Sequence, residues 1–274
     1  MRVEYFGGTE PELAVVGGIH GDEPCGINAI EQLLADPPTF QRPVVFVIVN
    51  EEAIDAGSRY VDEDLNRAFP GDEAGPTHEK RLAADLQSIL GDCLTLSMHS
   101  TQSYDGTFAL VNELTDQLRG PLQQLPVDAV VDVGSHSKGR LFDAVPTTIE
   151  VECGYQGSAQ ATENAKQLLR AFLEATGAVV PAAANGGSEP RDLPLFRLDR
   201  QIPKAEASSY DVFATNFEQV AKGEPFAAAD GVDVVAEEEF YPVLLSPYGY
   251  ETVFGYTAER LGTISDLEQR SEIA

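Results

Sequence analysis

The chain has 274 residues, 43% of them hydrophobic, enough to bury the core of one large domain or of a large and a small one. Its 45 Asp and Glu against 18 Lys and Arg give a net charge of −27, which argues against a partner such as nucleic acid or an anionic membrane surface. No apolar run approaches the ~20 residues of a spanning helix, and the start at Met1-Arg2-Val3-Glu4-Tyr5 is strand-like rather than a signal peptide, so a soluble, cytoplasmic protein is expected.

In chain order, short apolar runs alternate with helical patterns. The pattern predicts strands at residues 13–16, 44–49, 94–98, 129–133 and 148–151, and helices at 24–34, 78–90, 113–122 and 158–176. Strands joined by crossover helices mean an α/β fold with a largely parallel sheet. Residues 179–189 are small and contain Pro and Gly, and read as a linker. Beyond them, short runs at 193–198, 232–235 and 241–245 predict a small β domain. The expected division is a catalytic α/β domain over 1–185 and a C-terminal β domain over 186–274.

The acidity is spread along the chain, and the basic residues comprise only five Lys against thirteen Arg. This composition suits a halophilic protein, kept soluble in high salt by a hydrated carboxylate surface. The run Glu237-Glu238-Glu239 reads as a solvated turn. Cys25, Cys93 and Cys153 are far apart and odd in number, so they read as buried thiols rather than as a disulfide framework or a cysteine zinc site.

Four segments carry chemistry. The first predicted strand ends in Gly17-Gly18-Ile19-His20-Gly21-Asp22-Glu23-Pro24, which puts an imidazole and a carboxylate on one tight turn, with Pro24 suited to open a helix. Alone, that pair reads as a surface His near a Glu, but at a strand end of an open α/β sheet it can supply two zinc ligands. Leu94-Thr95-Leu96-Ser97-Met98-His99 ends a second strand in a histidine, the third ligand such a site needs. His78 and His136 read as surface residues.

Arg59-Tyr60-Val61-Asp62-Glu63-Asp64-Leu65-Asn66-Arg67 concentrates two arginines in a chain poor in positive charge. It reads either as a salt-bridged loop or as a grip on an anionic substrate. Glu150 and Glu152 lie two apart on one strand, hence on one face, where they read as edge or solvent-face residues or, for one of them, as a general base.

Taken in order, these segments resemble the succinylglutamate desuccinylase/aspartoacylase family of zinc-dependent amidohydrolases, related to the metallocarboxypeptidases. The resemblance rests on the H-G-x-E turn at His20 to Glu23, the R-Y-V-D-E-D-L-N-R string, the H-S-T at His99 and the E-x-G at Glu152. It implies a zinc carboxypeptidase-like fold with a mostly parallel mixed sheet, and one zinc per chain held by His20, Glu23 and His99. Glu152 would be the general base, with Arg59 stabilising the oxyanion, and Asn66, Arg67, Arg140 and Tyr250 would bind substrate.

Two points depart from the family pattern. Ser97 stands where aspartoacylases have Asp, and spacing from Arg140 and Pro146 favours Glu150 over Glu152 as base, whereas the E-x-G pattern favours Glu152. Tyr250, in the segment that begins at Tyr241-Pro242, is preferred to Tyr248. The implied activity is hydrolysis of the linear amide of a small, anionic N-acyl amino acid, with no nucleic acid or membrane partner, while a homo-oligomer is compatible with the sequence. A carboxypeptidase-like peptidase on the same scaffold and a non-catalytic zinc- or ligand-binding module are the alternatives.

Overall fold

A computed structural model describes residues 1–136, 138–181 and 190–266. The first part of the chain forms β1 (Arg2–Phe6), β2 (Leu13–Gly17), α1 (Pro24–Ala35), β3 (Val44–Ile48), α2 (Glu51–Ala56), α3 (His78–Leu90), β4 (Leu94–Thr101) and β5 (Phe108–Val111). It continues through α4 (Asp116–Leu122), β6 (Ala129–Asp132), α5 (Leu141–Ala144), β7 (Thr148–Tyr155) and α6 (Ala159–Ala175). The remainder is all strand until its last described residues: β8 (Pro194–Pro203), β9 (Tyr210–Val212), β10 (Pro225–Ala229), β11 (Val232–Val235), β12 (Tyr241–Val243) and β13 (Val253–Thr263).

Ten strands make one mixed sheet in the order β1-β3-β2-β4-β7-β5-β6-β8-β13-β12, and β11-β10-β9 make a separate small sheet. At its centre β3, β2, β4 and β7 run parallel. Every residue of β2, β3 and β4 is buried, which is why β2 and β3 read as continuous apolar runs, whereas β4 alternates apolar with polar residues. The C-terminal strands extend the same sheet, because β8 pairs parallel with β6 and antiparallel with β13. The expected boundary at 185/186, and residues 182–189 of the expected linker, lie outside the described residues.

Alternation along the central strands sorts side chains to two faces. Leu13, Val15, Leu96 and Met98 face α1 and α6, where Leu168 and Phe172 fill the core. Ala14, Val16, Val45 and Val47 face the other way, against Leu82 and Leu86 of α3. Capping explains the helix starts: Pro24 opens α1, and the Thr77 and Ser158 side chains accept from Lys80 and Ala161 N–H at the heads of α3 and α6.

The predicted helix at 113–122 begins three residues later, since Thr115 is extended and serves as the cap residue. Strand β5 was not anticipated, being a four-residue buried run with no period to read. Nor was β13, whose pattern is broken by register shifts around Gly255 and Gly262. All three cysteines are free and buried. Glu237, Glu238 and Glu239 are exposed, with Glu238 pairing Arg200 at 2.5 Å.

Candidate active site

The parallel strands end side by side, and the site lies where β2, β4 and β7 give way to loops, as expected for an open α/β sheet. His20 follows β2 on a turn packed so closely against α2 that a Cβ on Gly21 would stand 2.3 Å from the Ala53 carbonyl carbon. His99 lies within β4, in register with Glu152 of β7. The loop bearing Arg59 to Arg67 folds back over these ends, and its 3-10 turn Leu65–Arg67 buries Leu65 and Asn66.

Ligand atoms of His20, Glu23 and His99 lie within 4.8 Å of one another, and all three residues are buried. Glu23 Oε1 is 2.8 Å from His20 Nδ1, and Glu23 Oε2 is 3.2 Å from His99 Nδ1. Each imidazole is backed on its other nitrogen, His20 Nε2 by Asp64 at 3.0 Å and His99 Nε2 by the Ser97 hydroxyl at 3.2 Å. Two nitrogens and a carboxylate, each oriented by a further hydrogen bond, are a donor set that fits zinc with a coordination position left open. Ser97 thus takes up the histidine-backing place at which the chain departs from the family pattern.

Burial alone would lower the His20 imidazole, but the Glu23 charge and hydrogen bonds to Asp64 and Glu23 raise it to about 9. Burial likewise opposes ionisation of Glu23 and Asp64, yet His20 holds both carboxyls well below the usual range. Arg59 donates to Glu23 Oε1 at 3.0 Å and to Asp64 Oδ2 at 3.2 and 3.3 Å. Asp64, not singled out in the sequence, therefore ties Arg59 to His20.

The two carboxylates of β7 have opposite surroundings. Glu150 accepts from Asn66 Nδ2 at 3.1 Å and from Arg140 Nη2 at 2.9 Å, so both its oxygens are engaged. Glu152 is buried and its Oε2 has no hydrogen-bond partner among the described residues. Burial, followed by the nearby Glu23 charge, pushes the Glu152 carboxyl up to about 7. Asn66 also accepts from Leu141 N–H at 2.8 Å, which locks the loop to the segment carrying Arg140.

All nine residues nominated from the sequence line one cleft. Arg67 is exposed there and makes no ion pair among the described residues; its Nη1 donates to the Asn66 carbonyl at 2.6 Å. Tyr250 lines the cleft and its phenol is raised by burial, whereas Tyr248 is 62% exposed and outside it. Leu244, Ser246 and Gly249 add a wall from the loop between β12 and β13. His78 and His136, both half-buried, hydrogen bond Asn50 and the Asp199 carbonyl and do not line the cleft.

A residue that sequence reading missed controls the loop from behind. Glu79, in the first turn of α3 and fully buried, accepts from the consecutive N–H groups of Val61, Asp62 and Glu63 at 2.7, 3.0 and 3.2 Å, and from Asn50 Nδ2 at 3.1 Å. A carboxylate in a first helical turn ordinarily faces water, so nothing in the sequence marks it.

Residues 9–175 match the family model described as the succinylglutamate desuccinylase/aspartoacylase catalytic domain. A 125-residue stretch is 36% identical to an N-acyl-aromatic-L-amino acid amidohydrolase (carboxylate-forming) of Mus musculus, covering 39% of either chain. An 83-residue stretch is 37% identical to a succinylglutamate desuccinylase of Pseudomonas aeruginosa, covering 28% of this chain and 25% of that one. The matched stretches thus span about two fifths or less of these relatives' lengths. In fold, the chain is similar to the crystal structure of a succinylglutamate desuccinylase/aspartoacylase from Rhodobacter sphaeroides, with a TM-score of 0.73 at 20% identity over 94% of this chain and 89% of that one.

Proposed function

We propose, since the chain belongs to the succinylglutamate desuccinylase/aspartoacylase family, that it is a zinc-dependent amidohydrolase that cleaves a small N-acyl amino acid to a carboxylic acid and a free amino acid. The observation that carries this reading is the buried His20–Glu23–His99 trio with the unpartnered Glu152 carboxylate beside it in one cleft. His20, Glu23 and His99 would hold the metal. When bound, zinc supplies a Lewis acid for the scissile carbonyl and acidifies a water.

The chain's own residues account for the rest. Glu152 Oε2, free of hydrogen bonds, takes the proton of the attacking water and returns it to the leaving nitrogen, so that the C–N bond breaks to a neutral amine. Glu150 is unsuited to that task because both its oxygens already accept from Asn66 and Arg140. Arg59 keeps N–H groups beyond those given to Glu23 and Asp64, and these can meet the oxyanion. Arg67, without a carboxylate of its own, is the grip for the substrate carboxylate; Asn66 fixes its loop, and Arg140 and Tyr250 close the same side.

The test is release of free amino acid from a panel of N-acyl amino acids by zinc-loaded protein, with short peptides as the comparison. Turnover of the acylated amino acids is expected, and Glu152→Gln should keep fold and zinc while losing about 10²- to 10⁴-fold in kcat. Full activity in that variant would overturn the assignment of the base, and cleavage of peptides alone would overturn the substrate class.

A further inference from the structure

The small sheet β9–β11 gives no residue to the cleft, yet the chain around it holds the loop that carries Tyr250. That loop joins β12 to β13. Its first limb is held by Asn216, a buried residue between β9 and β10. Asn216 Oδ1 accepts from Leu245 N–H at 2.9 Å, and its Nδ2 donates to the Leu245 carbonyl at 3.2 Å and to the Ser103 carbonyl at 2.6 Å. One side chain thereby ties the loop to the chain leaving β4.

The second limb is held by Lys204, which directly follows β8. Its N–H donates to the Thr252 carbonyl at 2.9 Å, and its ammonium donates to the Tyr250 carbonyl. The same ammonium stands 4.9 Å from the centre of the Tyr210 ring and 5.5 Å from that of Phe254. Tyr210 opens β9, and Phe254 packs with Phe226 and Ala227 of β10, so the cage is built on the core of the small sheet. Tyr210 N–H also donates to the Tyr248 hydroxyl at 3.3 Å, a further tie to the loop. In a chain with 45 Asp and Glu, Lys204 pairs with no carboxylate among the described residues. Its charge is held instead by two aromatic faces and a charge-assisted hydrogen bond to one carbonyl.

Tyr250 depends on such an anchor. Its phenol makes no hydrogen bond among the described residues, and its ring meets Tyr256 edge-on with centres 6.3 Å apart. The direction of the phenol is therefore set by the main chain, where the carbonyl taken by Lys204 is the group that is pinned. We infer that Lys204 is a positioning residue: by holding the Tyr250 carbonyl from the Tyr210–Phe254 cage, it aims the Tyr250 phenol into the cleft. The inference rests on the proposed hydrolysis only for what Tyr250 meets there, a bound substrate.

Two measurements test it, one of them independent of turnover. Protein labelled with 3-fluorotyrosine gives a fluorine resonance for Tyr250, assigned as the one missing from Tyr250→Phe. Lys204→Met should move that resonance toward the position of free fluorotyrosine, and Lys204→Arg, which keeps the cation and a donor, should restore it. With the N-acyl amino acid that wild-type protein hydrolyses fastest, Lys204→Met should raise KM about tenfold and change kcat less than about twofold, the scale of a lost hydrogen bond to a charged group. In Tyr250→Phe protein the same substitution should add nothing to KM. Lys204→Gln, one bond shorter, should behave as Lys204→Met does and serves where the latter fails to fold. An unmoved Tyr250 resonance, or a rise in KM that persists in full in Tyr250→Phe, would overturn the inference and leave Lys204 a support of the fold. If the resonance moves as expected but wild-type protein hydrolyses no N-acyl amino acid, the hydrolase reading falls and the positioning stands.

Discussion

Glu150 and Glu152 show how two identical side chains on one strand face acquire different tasks from their neighbours. Removing the Glu150 charge strands the buried Arg140 guanidinium, so Glu150→Gln should lower stability by about 2–4 kcal/mol in denaturant unfolding, whereas Glu152→Gln should leave it unchanged or raise it. Equal losses in the two variants would contradict the hydrogen-bond pattern. Glu79 makes a prediction with a definite pH sign. Burial opposes its ionisation, but the amides of Val61, Asp62 and Glu63 hold its carboxyl below the usual range. Its stabilisation is therefore present above the unfolded value of about 4.3 and is lost as pH falls through the lower folded value. In Glu79→Gln an amide NH₂ replaces an acceptor facing N–H groups, so the variant should be less stable than wild type by about 1–3 kcal/mol at pH 7. Protonated Glu resembles Gln, so that gap should narrow in melts taken below pH 4; a gap independent of pH would contradict the assigned ionisation. These residues mark the limit of what sequence displays. His20, Glu23, His99 and the loop arginines were legible because spacing and strand ends bring them forward. Asp64 and Glu79 were not, since their significance lies in which groups fold back onto them.

At the scale of elements, the site depends on two segments distant in sequence meeting above the sheet. Gly139 adopts φ +80°, and a Cβ there would stand 2.7 Å from the Arg67 carbonyl oxygen. Phe69 N–H donates to the Gly139 carbonyl at 3.2 Å from the same loop. Gly139→Ala should therefore both strain the backbone and push Arg140 away from Arg67, costing about 1–3 kcal/mol and raising KM more than it lowers kcat. An unchanged KM in a destabilised variant would show that this contact only supports the fold. The central elements were readable from sequence because fully buried parallel strands leave continuous apolar runs, and because Pro24, Thr77 and Ser158 punctuate the helices. Strands β5 and β13 were hidden for opposite reasons. The first is too short to show a period, and the second is long but interrupted by glycines and shifts of register.

Over the whole molecule, a charge of −27 sets the terms on which the fold persists. Raising salt from 0.1 to 1 M shortens the screening length from about 10 to about 3 Å, so like-charge repulsion should fade and Tm should climb across that range. A flat or falling Tm would remove the case for adaptation to high salt. Against this acidic background Arg67 stands in the cleft without an ion pair among the described residues, whereas Arg59 and Arg140 are paired with carboxylates, so Arg67 is the positive charge left to draw an anionic substrate to the strand ends. Composition made the overall acidity plain, but not the order of the ten strands or the passage of the C-terminal strands into the same sheet, which arise from long-range pairing. Every mechanistic step rests on the metal centre, and elemental analysis of protein purified in high salt with zinc supplied tests it most directly. About one zinc per chain is expected in the wild type and its loss in His99→Ala; a wild type that retains no metal would contradict the proposed centre.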